Sequence, residues 1–202
     1  MSQVIMQKRI QSFSGKMQTI LVPLTLILII AFPLADTSVK REKDTIHEFY
    51  SVVNKSFFEG IPDSNKIYAL SPFISASFTQ ELYAAYCKEL EYYKSSTEPV
   101  PPLIEGSLFC SNFTGFNRIV SILKDSLNEY TFFVNFNYYE DKGTEEKRDT
   151  IMWSDKAVMK KDKKRWVIDD IILLNNSDFG LRGSVRMILT EINKMNFKQI
   201  IK

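Results

Sequence analysis

The chain has 202 residues, of which 45% are hydrophobic and 13% aromatic, and its formal net charge is +2. These values exclude intrinsic disorder, which requires low hydrophobicity together with a high net charge. Residues 1–35 contain the basic residues Lys8, Arg9 and Lys16 and no acid, so the rest of the chain has 23 basic and 24 acidic residues. Because nucleic-acid binding requires a basic surface, we expect no nucleic-acid partner.

Residues 1–35 have the layout of a secretory signal peptide. A basic lead is followed by an apolar run from Ile20 to Leu34 and by the small residue Ala35. The run is shorter than the ~20 residues that span a bilayer. We therefore predict that this segment is removed and that residues 36–202 form a single domain that is periplasmic or secreted. The alternative is an uncleaved segment that anchors the protein, which would then be its only membrane contact.

The two cysteines, Cys87 and Cys110, lie in the part of the chain that is expected to be exported, where disulfides form. A bridge between them would close a loop of about 23 residues and stabilise the protein by about 3 kcal/mol. The alternative is two separate buried thiols. Since a sequence does not test the distance between two side chains, both possibilities stay open.

Three helices are predicted in the first half of the chain. The first ends before Gly60 and Pro62, the second is short and extends from Asp63 to Leu70, and the third extends from Phe78 to Tyr93 with Ser77 as its N-cap. Apolar residues at helical spacing define the inward faces of the first and third helices. In the first helix they are Ile46, Phe49, Tyr50, Val53 and Phe57, and in the third Phe78, Leu82, Ala85, Tyr86 and Leu90.

A proline-rich connector at residues 95–102 separates these helices from a region of strands. Alternating and β-branched sequences predict strands at Phe116 to Leu123, Tyr130 to Tyr139, Thr150 to Met159 and Arg165 to Leu174. The lysine-rich run at residues 160–164 is expected to be a solvated hairpin loop. A closing helix begins at Ser184, with Val185, Ile188, Leu189, Ile192 and Met195 on one face. Helices, an antiparallel meander and a final helix define an α+β fold.

Four motifs in this order resemble a family of exported bacterial proteins, the domain of unknown function 3828. They are "LSPFIS" (Leu70 to Ser75), "EGSLFCSNFTG" (Glu105 to Gly115), "WSDKAVMKK" (Trp153 to Lys161) and "RWVIDDI" (Arg165 to Ile171). The resemblance covers about residues 44–192. It implies a nuclear-transport-factor-two-like (SnoaL-like) cone, in which N-terminal helices pack on a bent antiparallel sheet.

The same resemblance implies no particular activity. Cone folds of this kind include isomerases, dehydratases and binding modules, so the fold alone does not select a function. The family has an acidic residue directly after the glycine of the second motif, and Ser107 occupies that position in this chain.

Asp169 and Asp170 are adjacent within a strand-like apolar sequence, where neighbouring side chains point to opposite faces. One interpretation is a β-bulge, which would keep Trp166, Ile168 and Ile171 on one face and let both acids leave the core or accept hydrogen bonds from backbone N–H groups. Trp166 would then anchor the core. The other interpretation is that one of the two aspartates is a general base in the cone pocket.

Asp155 is the third candidate acid. The alternative to a catalytic role is a structural one, in which Asp155 forms a hydrogen bond at a strand edge. The single histidine, His47, lies beside core positions of the first helix, and no other residues form a metal-ligand pattern with it. There is also no glycine-rich phosphate loop. We therefore expect neither a metal nor an organic cofactor.

Three functions are compatible with these features. The first is an exported binding protein without catalysis whose partner is an envelope protein, such as a toxin that an immunity protein neutralises. The second is a small-molecule binder or acid–base enzyme that uses Asp169 or Asp170. The third is an envelope structural subunit that works as a homodimer through its open sheet face. Both faces of the predicted strand at Tyr130 to Tyr139 are rich in aromatic residues; these are core residues in one interpretation, and the lining of a pocket or a protein-binding face in the others.

Overall fold

A computed structural model describes residues 34–56, 59–95, 99–139, 150–174 and 180–197. The chain divides into two units, residues 1–40 and 41–202, and the five strands, the last three helices and residues 41–56 of the first helix belong to the second unit. Almost all of the predicted signal peptide lies outside the described residues. Within the described residues, none of the helices has the length and apolar character that crossing a membrane requires.

Four helices and a five-stranded antiparallel sheet are described, which confirms the α+β class. The helices are α1 (Leu34–Ser56), α2 (Ser64–Leu70), α3 (Ala76–Lys94) and α4 (Val185–Lys194). The strands are β1 (Arg118–Lys124), β2 (Thr131–Tyr139), β3 (Thr150–Asp162), β4 (Arg165–Leu173) and β5 (Gly183–Ser184), and they pair in sequence order.

The helix starts follow from side-chain capping. Asp63 accepts hydrogen bonds from the backbone N–H groups of Asn65 and Lys66 and is the N-cap of α2, not part of the helix as predicted. Ser184, the predicted start of the closing helix, accepts from the backbone N–H of Met187 and caps α4. The predicted cap of α3 was wrong by two residues. Ser75 is the N-cap and accepts from the backbone N–H of Phe78, while Ser77 lies inside the helix. Both serines are compatible with an N-cap. Backbone hydrogen bonds between residues 73–75 and Ile168 of β4 hold the chain extended up to Ser75, so the helix begins directly after it.

One part of the core lies between one face of the sheet, here called the inner face, and α1, while α3 and α4 contribute further buried apolar residues. Ile46, Phe49, Tyr50 and Val53 are buried on α1, which confirms its predicted inward face over the described residues. The Tyr50 ring meets Phe136 of β2 edge to face, with centroids 5.0 Å apart. The buried apolar residues of the inner face are Phe132, Val134, Phe136, Trp153, Ala157, Met159, Ile168, Ile171 and Leu173.

Two parts of the predicted elements differ from the structure. Leu90 of α3 is 37% exposed and Met195 after α4 is 42% exposed, so the inward faces end earlier than their apolar periodicity indicates. The lysine-rich run is also only partly a loop. Residues 160–162 continue β3, and Lys163 and Lys164 form a two-residue turn in which Lys163 has a φ of 56°. Strand pairing continues up to the turn because a loop of only two residues is enough to close a β-hairpin.

The two cysteines are free thiols. Cys110 is buried in the core, with its Sγ 3.3 Å from the backbone oxygen of Asn112, whereas Cys87 is half-buried on α3. Of the two possibilities that the sequence leaves open, the structure therefore contains the separate thiols and not the disulfide.

Candidate functional site

A β-bulge lies at the aspartate pair, as the sequence predicts. Val158 of β3 pairs with Asp170, while the next residue, Met159, pairs with Ile168, so Asp169 is the extra residue. In a regular strand, two adjacent aspartates would place one carboxylate on the buried face. The extra residue of the bulge lets the apolar residues before and after the pair point to the same face. Ile168 and Ile171 are consequently both buried on the inner face.

Asp170 is held by groups at the start of α4. Its Oδ1 accepts from the backbone N–H of Ile171 at 2.8 Å and from that of Arg186 at 3.2 Å, and its Oδ2 accepts from the Ser184 hydroxyl at 2.6 Å. The carboxylate therefore lies at the N-terminus of α4, where the helix dipole stabilises negative charge. This confirms the predicted hydrogen bonding to backbone N–H groups for Asp170, whereas the described contacts of Asp169 are with side chains.

Asp169 belongs to a half-buried charge cluster that joins the bulge to α3 and α4. Its Oδ2 accepts from the Arg186 guanidinium at 3.2 Å, and the same guanidinium forms a bidentate pair with Glu81 of α3. Lys160 is 3.9 Å from the other oxygen of Asp169. The pKa of Arg186 is raised chiefly by the Glu81 hydrogen bond. The contacts of this cluster join secondary-structure elements, and its carboxylates serve to fix α3 and α4 against the sheet.

Trp166 is not the core anchor that the sequence predicts. Its side chain is half-buried near the start of β4, and its ring lies 6.0 Å from that of Tyr130. Trp166 lies two residues before Ile168 and so points to the same, inner face of the sheet. Lys161, which pairs with Trp166 on β3, is exposed, so the core does not extend to this end of the sheet. The fully buried side chains of β4 are Val167, Ile168 and Ile171.

Asp155 is more deeply buried than either bulge aspartate. It lies on the inner face of β3 with no exposed surface. Its Oδ2 accepts from the backbone N–H of Ser111 at 2.8 Å, and its Oδ1 accepts from the backbone N–H of Leu174 at 2.9 Å. The predicted hydrogen bond at a strand edge was wrong in its location, because the carboxylate joins a central strand to the loop before β1 and to the end of β4.

The surroundings of Asp155 disfavour charge. Burial raises the pKa of the Asp155 carboxyl, and the contacts with Ser111 and Leu174 only partly oppose this shift. Burial likewise raises the pKa of Cys110 to about 12 and that of Tyr50 well above its ordinary value, with the negative charge of Asp155 adding to both shifts. The Tyr50 hydroxyl is buried without a hydrogen-bond partner among the described residues.

A cleft with a cavity volume of about 310 Å³ lies between the end of α1, the loop before β1 and the end of β2. Its lining residues differ in exposure and so define a floor, a wall and a rim. The floor residues are Val53, Gly106, Ser107 and Phe116. The half-exposed wall residues are Gly115 and Tyr138, and the exposed rim residues are Asn54, Glu59, Phe113 and Thr114.

Two glycines with positive φ shape the loop beside the cleft. A Cβ on Gly106 would lie 2.6 Å from the Phe113 ring and 2.8 Å from the Phe113 backbone oxygen, so a larger residue does not fit there. A Cβ on Gly115 would meet no atom within 4 Å. The Gly106 oxygen accepts a hydrogen bond of 2.8 Å from the Gly60 N–H, which fixes the loop against the segment after α1.

None of the three candidate aspartates lines the cleft. Glu59 is the only charged side chain among the described lining residues, and no ion pair of Glu59 with another described residue is found. Glu59, Phe113 and Tyr138 were not among the site residues predicted from the sequence. The available signal was the second motif, in which Gly106 and Gly115 enclose the aromatic residues Phe109 and Phe113.

The sheet face opposite α1, here called the outer face, is polar at its centre. Asn135 of β2 donates to Ser121 of β1 at 2.8 Å and accepts from Ser154 of β3. Lys156 lies 4.5 Å from the centroid of the Phe133 ring on the same face. The second aromatic face that the sequence indicates is therefore interrupted by a hydrogen-bonded polar row.

The four sequence motifs contact one another in the structure. The first motif pairs with the fourth, because the Ser75 N–H donates to the Ile168 oxygen at 2.9 Å. The second motif joins the third through Ser111 and Asp155. The third and fourth motifs lie on the paired strands β3 and β4. The motifs thus form one connected structural unit, and the second also supplies half of the cleft lining.

Comparisons with known proteins found no matching family model and no matching curated protein. The resemblance carried by the four motifs, and the cone shape that it implies, therefore stay predictions from the sequence.

Proposed function

We propose that this chain is an exported binding protein without catalysis and that it holds its ligand in the cleft. One observation carries the proposal: Asp155, Asp169 and Asp170 each accept a hydrogen bond from another structural element, and all three lie outside the cleft lining. Export rests on the basic and then apolar residues 1–35.

The acid–base alternative is poorly supported by this geometry. A general base must lie within hydrogen-bond reach of the proton that it removes. Asp155 has no exposed surface, and Asp170 accepts three hydrogen bonds at the start of α4. Either carboxylate would have to release backbone donors before it could contact a substrate, which would leave buried N–H groups unsatisfied at a cost of about 1–3 kcal/mol each.

The cleft itself has the composition of a ligand site. Such sites are concave and largely apolar, with a few polar groups that orient the ligand, and their volumes are about 300–1,000 Å³. Here the apolar surface comes from Val53, Phe113 and Phe116, and polar groups lie at Asn54 and Glu59. The acid that the family resemblance implies at position 107 is a serine on the cleft floor, which favours binding over acid–base chemistry.

The homodimer alternative is less favoured by the outer face. Obligate dimer interfaces are large and more hydrophobic than other surfaces. The row formed by Ser121, Asn135 and Ser154 places paired polar groups in the middle of that face.

The proposal can be tested with a cleft-blocked variant. Thr114 is exposed at the rim, so Thr114→Trp should fill the entrance without disturbing the core. Thr190→Trp, at an exposed position of α4, is the matched control. The domain of residues 36–202 and both variants are used as bait in an envelope extract, and bound molecules are identified by mass spectrometry.

We expect at least one molecule that the unmodified domain and Thr190→Trp retain and that Thr114→Trp loses. This molecule should be recovered with unchanged mass after incubation. Equal retention by both variants would contradict the use of the cleft, and chemical conversion of the ligand would contradict the absence of catalysis. A toxin among the retained proteins would assign the immunity role.

A further inference from the structure

We propose that the cleft selects an organic cation, specifically an alkylammonium group held against aromatic rings beside Glu59. The inference rests on the proposed function and adds the chemical class of the ligand. It follows from three features of the described lining: its aromatic rings, its charge and its size.

Three aromatic rings line the cleft at different depths. Phe116 lies on the floor and is 8% exposed, Tyr138 is half-exposed, and Phe113 at the rim is 42% exposed. The face of an aromatic ring carries partial negative charge and attracts a cation within about 6 Å of its centroid. Phe116 is held in place by edge and tilted contacts with Tyr50 and Phe136, at 5.7 Å and 4.8 Å between centroids. The floor ring is therefore preorganised.

The charge of the described lining is negative, which is complementary to a cation. Glu59 is exposed at the rim, and neither Lys nor Arg is among the described lining residues. An anionic ligand would therefore meet no cationic side chain among the described lining residues, and one N–H of the Asn54 amide already donates to the Asn117 oxygen at 3.3 Å. The Asn112 amide, in the same loop as Thr114, is used by Thr114 and Gly115. A cation would instead gain the Glu59 carboxylate without displacing any of these hydrogen bonds.

The volume of the cleft favours a small group. About 310 Å³ lies at the lower end of the range of ligand sites, which suits the head of a cation and not a large cofactor. Two sources share this chemistry: a free quaternary or primary amine, and the lysine side chain of a protein partner. The test therefore has one arm for each source.

The probes are two matched pairs of a cation and its neutral analogue. Choline is compared with 3,3-dimethylbutan-1-ol, and Nα-acetyl-lysine methylamide with its Nε-acetylated form. Binding to the domain of residues 36–202 is measured by chemical-shift titration in low salt. We expect at least one cation to bind at least about fivefold more tightly than its neutral analogue, because about 1 kcal/mol of cation–π attraction alone corresponds to fivefold and the Glu59 carboxylate adds to it.

Variants separate the contributions of charge and ring. Glu59→Gln should weaken cation binding by about three- to fivefold, the range of an exposed ion pair, and leave the neutral analogue unaffected. Glu48→Gln, at an exposed position of α1 outside the lining, is the charge-matched control and should have no effect. Phe113→Leu keeps apolar surface but removes the ring, and should weaken the cation selectively.

Each result decides between possibilities. A preference for choline assigns a free cation, and a preference for the lysine compound assigns a partner's side chain. If neutral analogues bind as tightly as cations, or if Glu59→Gln binds cations normally, the inference fails while the cleft still binds ligands. If no probe binds, but Thr114→Trp still loses a ligand from the extract, the inference fails and the proposed function stands.

Discussion

The carboxylates of the sheet and the carboxylate of the cleft have opposite surroundings. Asp155 and Asp170 each accept two or more hydrogen bonds, and each has backbone N–H groups among its donors. Glu59 is exposed at the cleft rim, in a lining that also contains three aromatic rings. Residues of one chemical type therefore differ in whether the backbone has already used their acceptor capacity.

Burial alone is a poor guide to function in this protein. Asp155 has the features often sought in a catalytic group, since it is a buried acid and burial raises its pKa. Its two backbone donors nevertheless explain its position structurally. Substitutions should separate the two classes: changes in the sheet should alter stability, and changes at the rim should alter binding.

The largest effect should come from the loop that joins the two regions. Gly106→Ala should lower the free energy of unfolding by about 3–4 kcal/mol, because a positive φ costs about 1–2 kcal/mol and the clash with Phe113 about 1–3 kcal/mol. Gly115→Ala has the same φ strain but open space, and should cost only about 1–2 kcal/mol. Urea denaturation measures both, and equal costs would refute the close packing at Gly106.

Removal of the buried carboxylate should have the next largest effect. Asp155→Ala leaves the N–H groups of Ser111 and Leu174 without an acceptor, so we expect a loss of about 3 kcal/mol in unfolding free energy. Asp162→Ala, at a half-exposed position of the same strand, should change it by at most about 0.5 kcal/mol. Comparable losses in the two variants would mean that the hydrogen bonds of Asp155 contribute little.

The bulge acids should have intermediate effects. Asp170→Ala should cost about 2 kcal/mol, because α4 loses a capping carboxylate, and Asp170→Asn about 1 kcal/mol, because one acceptor oxygen remains. Asp169→Asn should cost less than Asp170→Asn. Ligand binding should persist in every variant that folds. Normal melting together with loss of a reaction would instead support the enzyme alternative.

The pH dependence of stability should identify Asp155. Because burial raises its pKa in the folded state, the native protein binds this proton more strongly than the unfolded chain does between the ordinary pKa of about 4 and the raised folded pKa. The native state then binds more protons, so this contribution to stability falls as pH rises through the window above about pH 4. The stability of the unmodified protein relative to Asp155→Asn should decrease with pH in denaturation series. A pH-independent difference between the two would contradict the raised pKa.

The smallest effect on stability should be that of Glu59→Gln. Its side chain is exposed, so the free energy of unfolding should change by less than about 0.5 kcal/mol. Thermal melting beside the unmodified protein measures this. A clear loss of stability would show that Glu59 supports the fold and would remove the contrast with the sheet carboxylates.

Local features of the fold were accessible from the sequence because they depend on local periodicity. The inward face of α1 follows from apolar residues at helical spacing, and the cap at Ser184 follows from the hydrogen bond that a serine offers to the free N–H groups of a helix. The bulge also follows from local sequence, since two adjacent acids within an apolar strand require an extra residue to keep Ile168 and Ile171 on one face.

The roles of Asp155 and Glu59 were decided only by tertiary structure. Asp155 is one of several polar residues along β3, and the donor that explains it, the Ser111 N–H, lies 44 positions earlier in the chain. The separation of Cys87 and Cys110, and the two-residue strand β5, likewise depend on how distant segments pack. Glu59 follows α1 in a stretch without periodicity, and it becomes a candidate because the loop before β1 and the end of β2 come to lie beside it. Periodicity determines which way a residue points, whereas packing determines which residues share a cavity.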